Sequence, residues 1–503
     1  MSRLAAVLAV DAGTSGVRAA VITADGEVAT SVYRQVLPTT PLPNFVEFDA
    51  AELAEAALEV ALEALARWDA PVTGVGITNQ RASTICWERS TGTPVGPGVG
   101  WQDLRTVGTC LALQAQGLRI APNASATKLA FLLDLADPDR SRAAAGELAF
   151  GTVDTWLAWT LSGGMVHATD PGNAGVTGMV ALDPLGPGSG VSPMEWDAGV
   201  LEALRIPEAV LPPIVDSSGI CGAAKALPGE PPIAGLAGDQ QASLLGQGCV
   251  RPGEAKLTLG TGGMLDVCTG TTGPRWATRG PAGTIPIAAW RRAGVMTWGA
   301  EAIAITAGTA VEWLRDGLGI VPDSAATEAL AASVPDSGGV VFVPAFLGLG
   351  TPDWDYGARG GFFGLSLGTG RAEITRAVLE GVAHRGADLL EAAEADTGLA
   401  VDRLRIDGGM SANGVVLQAL ADATGRRVEA SAVTEATTLG AAFLAGLATG
   451  VWTDEAACAD LLQPRAVVVP AGSEASRSDA RARWRAAVDA CREWVPELSA
   501  IKF

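Results

Sequence analysis

The feature that most constrains the fold of this 503-residue chain is a glycine-threonine turn between two apolar runs, found near the start of the chain and again near its middle. The first copy, Gly13-Thr14, lies between the apolar runs 4–10 and 17–22. The second copy, Gly260-Thr261, lies between two further apolar runs about half a chain later. Short apolar runs bounded by glycine are typical of buried strands. The repetition therefore predicts two halves of similar fold, each beginning with a strand, a glycine turn and a second strand.

Both turns have the composition of a phosphate-binding loop. Glycines let backbone N–H groups approach an anion, and the hydroxyls of Thr14 and Ser15 can donate hydrogen bonds to it. The first turn has neither P-loop nor dinucleotide-fold spacing and leads into a strand, so no helix dipole assists it. A lone turn of this kind is most often only a turn. Two halves, however, can close two such turns on one nucleotide, as a hinged kinase or ATPase would.

Composition excludes several classes of function. With 55 acidic and 35 basic residues the net charge is -20, which opposes binding to nucleic acids and to anionic membrane surfaces. The first apolar run is too short to span a membrane and no cleavage-site pattern follows it, so we expect a cytoplasmic protein without membrane insertion. The seven cysteines lack metal-type spacing and are expected to be reduced and mostly buried.

The length predicts two domains, because it exceeds what a single core usually supports. The pattern breaks at residues 248–253, which divides the chain into domains 1–248 and 249–503. Strands are expected at 72–77 and 234–238, and helices at 50–67 behind an Asp49 cap, 303–314, 372–395, 439–447 and 484–495. Residues 186–190 and 344–361 are expected to be loops.

Polar side chains follow two of these strands. Arg81 comes after the strand 72–77, and Asp239 comes directly after the strand 234–238. Ligands of α/β sheets bind at the carboxyl ends of strands, which makes both side chains candidate ligand groups. Local sequence explains them equally well as a solvated arginine and a helix N-cap. Trp101 lies beside polar groups, a mixture that suits a polyhydroxylated ligand.

Eleven segments in order carry a resemblance to a known family. They are VDAGTSGVR, GITNQRASTICWE, GWQDLRT, TKLAFLLD, AGDQQASLLGQGCV, KLTLGTGGML, AGTAVEWLRDGL, PDWDYGARG, GTGRAEITRAVLEGVA, IDGGMSANG and TTLGAAFLAG. Over nearly its whole length the chain resembles the FGGY carbohydrate kinases, and within them the glycerol kinases. The resemblance implies an α/β fold of two actin-like (ribonuclease H-like) ATPase domains, with ATP and Mg²⁺ in the cleft between them.

The resemblance also implies a role for individual residues. Metal-binding positions match Asp11, which would hold Mg²⁺ through water, and Asp239. Positions around the transferred phosphate match Gly13, Thr14, Ser15, Arg18, Gly260 and Thr261. Nucleoside positions match Gly308, Gly409 and Asn413, with Glu312 where glycerol kinases usually have glutamine. Acceptor positions match Arg81, Trp101, Asp239 and Gln240, and Asp239 would be the catalytic base.

Two departures from the glycerol kinase pattern concern the acceptor. Ala82 stands where glutamate is usual, and Asn123 stands where tyrosine is usual. Both changes predict a larger acceptor pocket with fewer partners for a small polyol, and therefore a polyol longer than glycerol. A ketopentose kinase of the same family and an actin-like or chaperone-type ATPase without a sugar substrate remain alternatives. The expected partners are ATP and a small polyol or sugar, with assembly as a homodimer or homotetramer left open.

Overall fold

A mixed sheet of 13 strands organises the computed structural model, which describes residues 5–180, 194–273, 275–433 and 435–501. The predicted loop at 186–190 lies outside the described residues. The strands in chain order, with the short ones outside the main sheet included, are β1 Ala6–Gly13, β2 Gly16–Thr23, β3 Val28–Gln35, β4 Glu47–Phe48, β5 Val75–Asn79, β6 Ile85–Glu88, β7 Gly98–Val99, β8 Leu148–Gly151, β9 Ser218–Ala223, β10 Pro232–Gly238, β11 Ala255–Leu259, β12 Gly263–Gly270, β13 Ile285–Arg292, β14 Val295–Ala304, β15 Val341–Val343, β16 Gly361–Phe363, β17 Arg403–Asp407, β18 Arg427–Ser431 and β19 Pro464–Val468.

Helices lie between the strands in both halves. The α-helices are α1 Ala50–Ala66, α2 Val107–Ala115, α3 Ala126–Ala136, α4 Ser141–Ala144, α5 Val153–Leu161, α6 Pro171–Gly175, α7 Ala198–Ala203, α8 Asp239–Gly246, α9 Gly308–Glu312, α10 Ala326–Ala332, α11 Arg371–Thr397, α12 Gly414–Thr424, α13 Ala436–Thr449, α14 Glu455–Ala459, α15 Glu474–Cys491 and α16 Pro496–Ser499. Single 3₁₀ turns form at Glu208–Val210 and Gly409–Ala412, and a π-helical turn extends α9 over Trp313–Gly317.

The two halves repeat one strand pattern. In the first half, β3, β2 and β1 are antiparallel neighbours, and β5 and β10 continue the sheet in parallel with β1. In the second half, β14, β12 and β11 are antiparallel neighbours, and β17 and β18 continue in parallel with β11. The halves join where β9 pairs with β13. The predicted repetition of a strand, a glycine turn and a strand is thus confirmed.

Steric crowding explains one glycine of the first turn. The Cβ of any other residue at Gly16 would lie 2.5 Å from the backbone oxygen of Arg34 on β3, too close for any real contact. At Gly13 the nearest atom to such a Cβ is 3.8 Å away, an ordinary contact. Gly16 is therefore needed for the packing of the hairpin against β3, whereas Gly13 leaves open space above the backbone.

Most predicted elements are found, and the differences have physical causes. The Asp49 carboxylate accepts hydrogen bonds from the backbone of Ala51 and Glu52 at 2.8 and 3.0 Å, so α1 begins at its predicted cap. The helix predicted from 303 is wrong at its start, because Ile303 pairs with Met264 in the sheet and α9 begins only at Gly308. The strand predicted at 72–77 lies at Val75–Asn79, and the helix predicted at 484–495 is α15, which ends at Cys491.

Helix α13 belongs to the second half of the chain but packs against the sheet of the first half. An added Cβ at Gly76 of β5 would lie 2.0 Å from the backbone oxygen of Ala441, and one at Gly235 of β10 would lie 2.7 Å from the backbone nitrogen of Ala445. Small residues on both elements allow this close approach. The two halves therefore share a buried core, and the division at residue 248 stays a prediction.

Within the described residues no helix is both long and apolar enough to cross a membrane. All seven cysteines are free thiols, and six of them are buried, as their spacing predicts.

Candidate functional site

One edge of the sheet collects the polar residues of the first half. Strand β5 runs parallel between β1 and β10, and Asn79 at its end pairs with Ala12 on one side and with Gly238 on the other. The chain leaving these three strands continues into the first glycine turn (residues 13–16), into Arg81 and into Asp239. The predicted grouping at the carboxyl ends of the strands is therefore present.

An indole ties the first glycine turn to the loop that carries Trp101. Trp101 Nε1 donates to Thr14 Oγ1 at 3.2 Å. The carbonyl of Ser15 accepts from the hydroxyl of Tyr33 at 3.0 Å, which anchors the turn to β3. The guanidinium of Arg18 forms an ion pair of 2.9 Å with Glu435, just before α13.

The second glycine turn (residues 260–263) is braced by the start of α9. The backbone nitrogens of Gly308 and Ala307 donate to the carbonyls of Gly260 and Thr261 at 2.8 and 3.0 Å. An added Cβ at Gly308 would lie 2.5 Å from the oxygen of Gly260, so α9 can approach the turn only with glycine there. Glu312, at the other end of α9, is exposed.

A third glycine turn follows β17 and lies beside β11. Gly408 has φ of 82°, and a Cβ there would lie 2.5 Å from the oxygen of Leu259, the residue that leads into the second glycine turn. Gly409 begins the 3₁₀ turn after it. The side chain of Asn413 caps α12 and donates to Thr327 Oγ1 at 3.2 Å. The structure thus brings Gly409 close to the second turn.

Arg81 contacts carboxylates from both halves of the chain. Its Nη2 lies 2.7 Å from Glu301 Oε2 on β14, and its Nε lies 3.4 Å from Asp239 Oδ1. Sequence reasoning did not single out Glu301, because it lies inside a strand, where the local pattern assigns a carboxylate no function.

A second polar group joins α8 to the second half. Lys256 of β11 donates to the side-chain oxygen of Gln240 and lies 2.7 Å from Asp266 Oδ2, and the side chains of the lysine and aspartate are fully buried. Farther along α8, Ser243 donates to Asp407 at 3.2 Å. Lys256 lies in the segment KLTLGTGGML, in which only Gly260 and Thr261 have a predicted role. Gln240 therefore takes part in a contact between the halves as well as lying beside Asp239.

A buried lysine joins the two loops that carry Trp101 and Asn123. Lys128 of α3 donates to the carbonyls of Gly100, Trp101 and Asn123 at 2.9, 3.1 and 3.1 Å. The side chain of Asn123 is exposed, whereas Ala82 is buried and adopts a left-handed conformation with φ of 60°. Lys128 lies in TKLAFLLD, and its role could be identified only from the loops that it contacts.

Burial disfavours ionisation of the carboxyl groups of Asp11 and Asp239. Burial, together with the nearby charge of Asp239, raises the pKa of Asp11 to about 7, against a hydrogen bond from Thr438 at 3.1 Å. Burial also raises the pKa of Asp239, which Arg81 and Lys256 oppose. Two neighbouring carboxylates suit Mg²⁺, which is commonly held by one or two carboxylates together with waters. Among the described residues no group of three or more His, Cys, Asp or Glu side chains forms a metal cage.

Comparison with known proteins identifies the family of this chain. The model of the N-terminal domain of the FGGY family of carbohydrate kinases matches residues 6–246, and the model of its C-terminal domain matches residues 255–449. The glycerol kinase of Aromatoleum aromaticum is 44% identical over 504 residues, which cover 97% of this chain and 99% of that protein. Glycerol kinase 2 of Thermotoga maritima is 41% identical over 503 residues, with coverage of 97% and 99%.

Solved structures share the fold. The structure of Plasmodium falciparum glycerol kinase with ADP superimposes with a TM-score of 0.88 at 26% identity and covers 99% of both chains. The xylulose kinase of Lactobacillus acidophilus has a TM-score of 0.83 at 18% identity, with coverage of 97% and 98%. The predicted two-domain α/β kinase fold is confirmed, and the chain belongs to the FGGY family of carbohydrate kinases.

Proposed function

We propose that this chain transfers the γ-phosphoryl group of ATP to a hydroxyl of a small neutral polyol, with Asp239 as the general base. The observation that carries the proposal is the position of Asp239, which lies beside Arg81 at the sheet edge where the first glycine turn begins. The relatives named glycerol kinase, similar over nearly the whole chain, support a polyol as the acceptor.

One group of residues would bind ATP, and another would bind the acceptor. The two glycine turns would hold the phosphates of ATP through their backbone N–H groups and the hydroxyls of Thr14, Ser15 and Thr261. Arg18 would neutralise phosphate charge beside the first turn, while Gly308, Glu312, Gly409 and Asn413 would line the nucleoside. Arg81, Trp101 and Gln240 would hold the acceptor so that one hydroxyl lies against Asp239. Phosphoryl transfer needs mainly such alignment and charge neutralisation.

Asp239 would accept the proton of the attacking hydroxyl as the oxygen bonds to phosphorus. Its raised pKa makes it a stronger base than an ordinary aspartate, while Arg81 keeps its ionised form accessible. Asp11, together with Asp239, would hold Mg²⁺, and that ion supplies charge neutralisation for the phosphates when bound.

The length of the acceptor is a further part of the proposal. Ala82 offers only a methyl group where a carboxylate would bind two hydroxyls, and Asn123 offers no aromatic wall. Each unpaired polar group costs about 1 to 3 kcal/mol of binding, so both changes favour a polyol of four or five carbons over glycerol.

A coupled assay of ADP release tests the activity and the acceptor together. The panel contains glycerol, tetritols, pentitols and ketopentoses, and one reaction has no acceptor. We expect the highest kcat/KM with a four- or five-carbon polyol. Glycerol ahead by a wide margin would refute the longer acceptor, a ketopentose ahead would favour the related kinase class, and full ATP turnover without acceptor would favour an ATPase.

The substitution Asp239→Asn tests the base. We expect kcat to fall by about 10² to 10⁴ with the KM for ATP little changed, because the substitution removes the base for the acceptor proton while Asp11 would still hold Mg²⁺. The matched control is Asp197→Asn, which also begins a helix, where Asp197 accepts from the backbone of Gly199 at 2.8 Å. Asparagine caps helices as well as aspartate, so this variant should keep normal turnover. Near-normal turnover of Asp239→Asn would reject the assignment.

A further inference from the structure

The guanidinium of Arg81, in the first half of the chain, is held by a carboxylate of the second half. Its Nη2 lies 2.7 Å from Glu301 Oε2, with 12% of the arginine side chain and 5% of the glutamate side chain exposed. Its contact with Asp239 is longer, at 3.4 Å from Nε. The principal ionic partner of Arg81 is therefore a residue that lies far from it in sequence.

The position of Glu301 is fixed by the sheet. In the antiparallel pair of β12 and β14, Glu301 lies directly opposite Asp266, so both side chains are on the same face. Lys256 neutralises Asp266 at 2.7 Å, and the like charge of Asp266 disfavours movement of Glu301 towards β12. Glu301 is thereby directed towards the first half, where Arg81 is its cation.

One nitrogen of Arg81 is buried without a hydrogen-bond partner among the described residues. This nitrogen is Nη1. A guanidinium is a rigid planar fork, and the ionic contacts at Nη2 and Nε restrict it, although Glu301 Oε2, like Nη1, has no aligned hydrogen bond among the described residues. A buried donor left unpaired is costly, and Nη1 is therefore ready for an oxygen of a bound molecule.

We propose that Glu301 is a positioning residue for the acceptor, which orients Arg81 across the cleft so that Nη1 donates to an acceptor hydroxyl. This inference rests on the proposed function. Because Arg81 and Glu301 belong to different halves, the acceptor subsite is complete only when the halves hold the arrangement seen here. Glu301 also keeps Arg81 from turning fully onto Asp239, which leaves the base available to the hydroxyl.

The test compares kinetic constants for the acceptor and for ATP in Glu301→Gln. We expect the KM for the preferred polyol to rise ten- to hundredfold, while the KM for ATP stays within twofold. A residue that only stabilised the fold would not separate the two constants in this way. The matched control is Glu429→Gln, because Glu429 is a similarly buried glutamate of the second half that pairs with Arg427 at 2.8 Å. It should leave both constants within twofold.

A double-mutant cycle measures whether the effect of Glu301 on the acceptor depends on Arg81. In the background Arg81→Met, Glu301→Gln should change acceptor kcat/KM by less than threefold, because its action runs through Arg81. An equal loss in both backgrounds, or an unchanged acceptor KM in Glu301→Gln, would overturn the inference.

If Glu301→Gln does not fold, Glu301→Asp keeps the charge on a shorter side chain. Its acceptor KM should then rise three- to tenfold, and an unchanged value would overturn the inference equally. If the wild type phosphorylates a polyol and these variants have the same acceptor KM as the wild type, the proposed function holds and this inference is wrong. A wild-type chain inactive on every polyol rejects both.

Discussion

Replacement of Lys128 by methionine should detach the loops that carry Trp101 and Asn123, which we propose to face the acceptor. The ammonium group is fully buried and donates to three backbone carbonyls, those of Gly100, Trp101 and Asn123. Each hydrogen bond from a charged donor is worth about 1.5 to 3 kcal/mol. Burial opposes this gain: it lowers the pKa of Lys128 from 10.5 to about 7, at a cost of about 5 kcal/mol.

The net effect of Lys128→Met follows from the carbonyls left behind. Asn123 lies at the surface, where water can replace the lost donor, whereas Gly100 is buried and Trp101 is half-buried. Each carbonyl left unpaired inside the protein costs about 1 to 3 kcal/mol, so we expect the free energy of unfolding to fall by about 2 to 4 kcal/mol. Because Trp101 then loses its anchor, the KM for the acceptor should rise about tenfold and the KM for ATP by less than threefold.

Urea unfolding and steady-state kinetics measure both quantities on the same preparation. The control is Lys225→Met, which removes an exposed lysine and should change neither quantity. A Lys128→Met protein with unchanged unfolding free energy would show that the three hydrogen bonds only offset the cost of burial. Loss of stability with an unchanged acceptor KM would show that the lysine supports the fold but not the acceptor loops.

Three further outcomes follow from the same contacts. Gly308→Ala places a Cβ 2.5 Å from a backbone oxygen of the second glycine turn, so the KM for ATP should rise about tenfold while the KM for the polyol stays unchanged. Equal changes in both constants would contradict a role confined to the nucleotide. Gly440→Ala places a Cβ 1.8 Å from a backbone oxygen of α8 and should lower the unfolding free energy by about 3 kcal/mol or more. The control is Gly108→Ala, also in a helix, whose added Cβ meets no atom within 4 Å and should not lower the unfolding free energy. Between pH 7 and 10.5 the unfolded chain holds a proton on Lys128 that the folded chain has released. The unfolding free energy of the wild type relative to that of Lys128→Met should therefore increase by about 2 to 3 kcal/mol from pH 7 to 9, measured by urea titration. A difference that does not change with pH would contradict the lowered pKa.

Local chemistry made much of the fold predictable. The cap at Asp49, the long helix α11 and the two glycine turns depend on residues close in sequence, and each is present near its predicted place. The start of α9 was not predictable in this way, because the residues around Ile303 are apolar with no turn signal. Only their pairing with β12 decides that they form a strand.

The candidate site shows the same division. Arg81 and Asp239 could be selected from sequence because each follows an apolar run, where parallel sheets bind ligands, whereas Asp11 was identified through the family resemblance. Glu301 and Asp266 stand inside strands, where local pattern gives a carboxylate no special meaning. They acquire one from their register opposite each other and from the arginine and lysine that face them.

The sequence by itself therefore determined the repeated strand-turn-strand unit, the phosphate-type turns and the family to which the chain belongs. The tertiary structure decided that α13 covers the sheet of the other half, that Lys128 joins the loops of Trp101 and Asn123, and that Glu301 holds Arg81. Turns and caps arise from neighbours in the chain, and their free energies are local. Contacts between distant charges depend on strand register and on the packing of two halves, which no short segment encodes.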